Sequence, residues 1–140
     1  MNLVRESINF EKGGNPLTTI GIGRKALIKQ WFDSVGVKPS EYTIDDDLHI
    51  TMGRWLNLEG TAITELPDNL TVYGSLYLRG SAITKLPDNL TVGGYLDLRS
   101  TKVTELPDNL TVRGYLNLRY TAITKLPKSL KVEGEIYKDF

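Results

Sequence analysis

The chain has no cysteine, so disulfides, thiolate metal sites and cysteine nucleophiles are all excluded. It also lacks a charge of one sign: Lys+Arg and Asp+Glu both total 17. A general polyanion binder normally shows a basic excess, so the balance disfavours nucleic acid as the partner while leaving room for a local basic stripe. No run reaches the roughly 18 apolar residues that a membrane span needs, and no membrane partner is expected. The opening stretch MNLVRESINFEKGG carries Arg5, Glu6, Glu11 and Lys12 where a signal peptide would place its apolar segment. The expectation is a soluble protein of the cytoplasm. Motifs for chemistry are also missing. There is no HExxH, GxSxG or P-loop, and the glycine pair of GIG (Gly21–Gly23) lacks the third glycine and the βα unit of a dinucleotide site. No nucleophile with an adjacent base can be assembled. The chain is expected to be no enzyme and to need no cofactor.

What the chain does have is a repeat. The stretch LPDNLTV begins at Leu66, again at Leu86 and again at Leu106. In register the units run 50–69, 70–89, 90–109 and 110–129, followed by a partial capping unit at 130–140. The period is twenty throughout, without insertion. A fixed period of that size is the sequence signature of a solenoid, with one coil per repeat. The apolar columns are regular. Examples are Ile50/Leu70/Leu90/Leu110/Leu130, Met52/Val72/Val92/Val112/Val132 and Leu58/Leu78/Leu98/Leu118. Within a unit, L-x-V-x-G-x-L-x-L alternates with period two, which predicts strands rather than a helix.

Three smaller features fit the same architecture. Gly74, Gly94, Gly114 and Gly134 interrupt the alternation, which predicts a bend between two short strands or a close approach of backbone. The LPDN segment supplies turn chemistry: proline fixes φ, and Asp and Asn suit tight turns. Glu65, Lys85, Glu105 and Lys125 alternate in sign along one column, so coils about 4.8 Å apart would set opposite charges side by side. A single coil cannot offset the entropy of ordering its own backbone, so stability has to come from stacking.

The pattern L-x-L-x-x-T-x-I-x-x-L-P over residues 50–136 resembles the leucine-rich repeat in its short bacterial form with an LP turn. Thr61, Ser81, Thr101 and Thr121 stand where that family usually has the asparagine that bonds along the turn. Twenty residues leave little room for an outer helix, so extended or 3₁₀ segments are expected there. The fold class is therefore a β-rich, leucine-rich-repeat-like solenoid of parallel strands, spanning 48–140, behind an N-terminal cap region at 1–47. In the cap, Leu27, Ile28, Trp31, Phe32 and Val35 fall at i, i+4 spacing, predicting a helix over about 24–35 with Gly36 as its stop. Its apolar face should lie on the first coil, and EYTIDDDLHI should feed a strand into the repeat. The segment with Phe10, Glu11, Lys12, Gly13, Asn15 and Pro16, followed by an I-G pair and a short helix, resembles the opening of uncharacterised bacteriophage proteins. That resemblance implies a host cytoplasm as the setting and carries no activity.

Candidate sites follow from the columns. His49 beside Asp45, Asp46 and Asp47 could hold a divalent cation, but a solvated turn explains the group more simply, and no metal site is expected. Asp68, Asp88 and Asp108 form a second acidic column that turn chemistry also explains. GIG followed by Arg24 and Lys25 could serve as a phosphate-binding turn at a helix start. The outward face of the strands is richer. With Leu76 and Leu78 inward, residues 75, 77 and 79 point out, and likewise in each coil. The face presents Trp55, Tyr77, Arg79, Tyr95, Arg99, Tyr115 and Arg119, residue types enriched at binding hot spots. The same residues are also good strand formers and stabilising neighbours. The expected function is recognition of a protein partner through this face, by a protein that is monomeric itself. The alternatives are a nucleic-acid binder using the arginine column with GIGRK, or a structural protein that self-associates.

Overall fold

The computed structural model describes residues 23–140. Helix α1, Arg24–Ser34, buries Leu27, Ile28, Trp31 and Phe32 on one face, with Val35 half-buried at its end. Gly36 takes a left-handed φ of 80°, which lets the chain reverse. The Gly36 N–H then donates to Asp33 at 3.1 Å and the Val37 N–H to Phe32 at 2.9 Å, satisfying two carbonyls that the helix end would leave open. Phe32 is fully buried and stacks on Tyr42 at 4.0 Å, while Trp31 meets Phe32 edge-on. The helix is therefore a lid over the first coil, in the same core cluster as Ile50 and Met52.

A single 3₁₀ turn, Pro39–Glu41, leads into strand β1, Tyr42–Ile44. EYTIDDDLHI does feed the repeat, by doubling back: β1 pairs antiparallel with β2, Ile50–Met52, setting Tyr42 opposite Met52. From β2 onward all pairing is parallel. One ladder continues through β4 (Leu70–Val72), β6 (Thr91–Val92), β8 (Thr111–Val112) and β10 (Lys131–Val132). The second runs through β3 (Leu56–Asn57), β5 (Leu76–Tyr77), β7 (Leu96–Asp97), β9 (Leu116–Asn117) and β11 (Ile136–Tyr137). Register advances by one repeat at every step, as in Leu56 beside Leu76 beside Leu96. The fold is a parallel β-solenoid with two short strands per coil.

The glycine column makes the corner between the two ladders, and both readings of it hold together. The Gly94 N–H donates to Gly74, Gly114 to Gly94 and Gly134 to Gly114, at 3.0–3.1 Å. The backbones approach so closely there that a Cβ on Gly114 would lie 2.8 Å from the Gly94 carbonyl carbon and oxygen. Arg54 occupies the same column position in the first coil, where no earlier coil lies beneath it, and its guanidinium reaches Glu41 at 3.5 Å.

The third side of each coil is extended, with turns and no helix. Here Thr61, Thr101 and Thr121 donate their hydroxyls to the carbonyls of Leu58, Leu98 and Leu118, at 2.7–2.8 Å. The threonine column thus serves its own coil by closing the strand end. Backbone bonds such as Ala82 N–H to the Thr61 carbonyl join the coils here, and one pair of LPDN asparagines adds to them: Asn109 Nδ2 donates to Asn89 Oδ1 at 3.1 Å. Asn69, Asn89 and Asn109 hold left-handed φ of 57–62°, a conformation asparagine tolerates better than most residues. Along the charge column, Glu65 and Lys85 are both engaged, while Glu105 and Lys125 face solvent.

The interior columns are buried through four coils, and burial fades in the fifth, where Leu130, Val132 and Ile136 are half-buried and Lys138 is exposed. Asp139 finishes the second ladder. The N–H groups of Gly60, Gly80 and Ser100 each donate to the arginine carbonyl of the next coil. At Tyr120 the Asp139 carboxylate accepts that bond instead, at 2.7 Å.

Candidate functional site

The second ladder presents the aromatic and arginine face, and the corner glycines seat its rings. Tyr95 and Tyr115, one strand spacing apart, stack at 4.7 Å with their planes 1° from parallel. Each ring leans over the glycine of the next coil. A Cβ on Gly114 would meet Tyr95 Cδ1 at 2.8 Å, and one on Gly134 would meet Tyr115 Cδ1 at 3.0 Å. Tyr115 in turn meets Tyr137 edge-on at 5.8 Å, and the Arg119 guanidinium lies 5.4 Å from the Tyr137 ring centre. At the other end of the column Trp55 is 55% exposed, with Arg54 5.6 Å from its ring. Tyr77, in the neighbouring column with Asn57 and Asp97, is half-buried.

The three arginines of the column differ in role. Arg79 and Arg119 are exposed. Arg99 is half-buried and makes a bidentate pair with Asp97, Nη2 to Oδ2 at 2.6 Å and Nε to Oδ1 at 2.9 Å. Asp97 is itself buried on the face. Burial pushes its carboxyl upward, but the hydrogen bonds and charge of Arg99 outweigh that and hold it below the ordinary carboxylate range. The same pair raises the Arg99 guanidinium further. At the outward positions of this ladder Arg79, Arg99 and Arg119 stand against Glu59, Asp97, Glu135 and Asp139. The arginines hold the middle coils, with carboxylates at both ends of their column.

All seven residues anticipated from the sequence lie on or beside the strands of this ladder, in three register columns: Trp55, Tyr95 and Tyr115; Tyr77; and Arg79, Arg99 and Arg119. The alternation also puts Asp97 on this face, without its pairing with Arg99, and does not single out Tyr137 or Tyr120. Asp97 and Arg99 are two apart on one strand and so share a face, a signal that was present. Tyr120 is 72% exposed at a φ of 61°, following Gly60, Gly80 and Ser100 in the same column position.

The remaining candidates resolve differently. Asp45, Asp47 and His49 offer ligand atoms within 4.8 Å of one another, all exposed. The Asp45 carboxylate already accepts the backbone N–H groups of Asp47 and His49, each at 2.9 Å, and lies 3.2 Å from His49 Nδ1. Those bonds, the His49 N–H foremost, hold Asp45 below its usual range, and they are the bonds of a hairpin turn. Asp68, Asp88 and Asp108 do not gather into such a group. Of GIGRK, Gly21 and Ile22 lie outside the described residues, as does the segment from Phe10 to Pro16. Gly23 is the residue before α1, and Lys25 Nζ is 2.9 Å from Asp46, so this lysine is already paired with a carboxylate. Among the described residues no helix is long and apolar enough to cross a membrane. No family model, curated protein or solved structure matches the chain.

Proposed function

We propose that this chain is a non-enzymatic recognition module that binds a protein partner through the face of the second ladder, with Trp55, Tyr77, Arg79, Tyr95, Arg99, Tyr115 and Arg119 as its contact residues. The observation that carries this reading is the exposed, parallel stack of Tyr95 on Tyr115 beside the arginine column. Rings and guanidinium groups already held in place lose little side-chain entropy on binding, and these residue types dominate the energetics of protein interfaces. The leucine-rich-repeat-like character of the unit, an origin in a bacteriophage and action in the host cytoplasm belong to the same proposal.

The test is affinity capture from a bacterial lysate, with the wild type and an Arg79→Glu/Arg119→Glu variant immobilised side by side. Arg99 is kept, because its loss would strand the buried Asp97. A protein held by the wild type alone, with both melting curves superimposed, is the expected result. A protein held equally by both removes the face from consideration. Nucleic acid held by the wild type alone, and released steeply by salt, replaces the protein partner with a polyanion.

A further inference from the structure

The last coil leaves its edge open. β10 and β11 are the outermost strands of the two sheets, and among the described residues no further strand pairs with them. Leu130, Val132 and Ile136 are only half-buried, whereas Leu110, Val112 and Leu116 one coil earlier are fully buried. Backbone groups are open as well. The carbonyls of Leu110, Val112 and Gly114 accept the N–H groups of Lys131, Glu133 and Gly134, and the Leu116 and Leu118 N–H groups donate to Glu135 and Tyr137. One coil on, the same register directs the Leu130, Val132 and Gly134 carbonyls and the Ile136 and Lys138 N–H groups outward. None of these has a partner among the described residues.

Exposed charges mark this edge: Lys131, Glu133, Glu135 and Asp139. A second copy does not match them. Its first coil would set Thr51, Gly53, Trp55 and Glu59 over those four positions, forming no ion pair and placing Glu59 against Asp139. We propose that the edge is a β-addition site for an extended segment of a different protein, which pairs in parallel with β10 and β11 as one further coil. The charges that keep copies apart select this guest. It carries an acidic residue over Lys131 and basic residues over Glu133, Glu135 and Asp139. Its apolar residues cover Leu130, Val132 and Ile136. Over Gly134 it needs glycine, because a Cβ on Gly134 itself would lie 2.5 Å from the Gly114 carbonyl oxygen, and the same approach recurs one coil on. The site lies at the end of the stack and does not depend on the aromatic face.

The experiment uses residues 1–140 and three dye-labelled peptides read by fluorescence anisotropy. LEVRGRLNLR matches the edge from Leu130 to Asp139, LKVEGELNLE inverts its charges, and LEVRARLNLR replaces the glycine at the bend. The first should bind at least about tenfold tighter than either of the others, since four exposed charge pairs change sign in one and the bend clashes in the other. Glu133→Lys/Glu135→Lys should erase the preference between the first two peptides and leave melting unchanged. No binding of LEVRGRLNLR overturns the proposal, as does equal binding of the charge-inverted peptide. Equal binding of the alanine peptide does so too, because a contact made by charge alone has no need of the glycine. A full preference retained by the folded Glu133→Lys/Glu135→Lys variant would put the peptide elsewhere. Self-association that displaces the peptide would make the occupant a second copy, and so also overturns the proposal.

Discussion

Two side chains on the face are held against their own preferences, and each gives a measurable consequence. Tyr120 sits at a φ of 61°, where Gly60 and Gly80 stand in earlier coils. A bulky residue in the left-handed region costs about 1–2 kcal/mol, part of which glycine returns as greater freedom in the unfolded chain. Tyr120→Gly should therefore stabilise the protein by about 0.5–1 kcal/mol, read as a rise in the urea midpoint at unchanged slope. An unchanged or lower midpoint would mean that the ring recovers the strain through its neighbours. Asp97 is the second case. Its carboxyl is held below the unfolded value, so the folded state binds fewer protons and gains stability above that value. The contribution is complete above about pH 5 and is lost as pH falls through the folded pKa, which lies below the unfolded value of about 3.9. Asp97→Asn should remove this part of the acid sensitivity, so that the gap between wild type and variant narrows below about pH 4 in urea titrations. A constant gap would show that the Asp97–Arg99 pair contributes geometry but no linkage to pH.

At the scale of the coil, the corner glycine is the element on which the face depends. Gly114 has the Gly94 backbone beneath it and the Tyr95 ring beside it, so an added methyl meets both at 2.8 Å. Gly114→Ala should cost about 1–3 kcal/mol as the corner opens, whereas alanine at Gly53, with no atom within 4 Å, should cost little. The pair of melting temperatures separates close approach from any general effect of losing glycine in a strand. The corner also shows how much could be read beforehand. Columns such as Leu70/Leu90/Leu110 announce stacking because identical residues recur at identical offsets, and the glycine within the alternation announces a bend. The hairpin of β1 with β2 was harder to foresee, since its turn depends on Asp45 accepting two backbone N–H groups and on Leu48 entering a φ of 66°. Neither event leaves a periodic trace. The face lies between these cases. Alternation located its residues, but the pairing that engages Arg99 while Arg79 stays exposed rests on one residue, Asp97, where other coils have Asn57, Tyr77 and Asn117.

The whole molecule has a direction, and its two ends are treated differently. In the second ladder the N–H groups of one coil donate to carbonyls of the next, as from Leu56 to Ser75 and from Leu116 to Glu135. Among the described residues, each outer edge of this ladder therefore keeps unpaired backbone donors and acceptors in complementary positions, so one copy could continue the ladder of another head to tail. Such a contact does not close on itself and would grow into a filament. Three features oppose it. The β1 hairpin and α1 cover the start of the first ladder, so an incoming copy cannot seat both sheets. Glu59 of one copy would stack on Asp139 of the other, in the column that runs through Arg79, Arg99 and Arg119. Lys131, Glu133, Glu135 and Lys138 place exposed charges along the last coil, a usual way to blunt a sheet edge. The chain should therefore sediment as a monomer at all accessible concentrations. Restoring upstream residues with Lys131→Thr, Glu133→Gly, Glu135→Ser, Lys138→Leu and Asp139→Arg removes the charge block while keeping the coil pattern. That variant should show concentration-dependent association, with the far-UV spectrum of the folded wild type retained. Association of the wild type itself would mean that the end charges do not govern the edge, and would shift the reading of the molecule toward a structural, self-stacking unit.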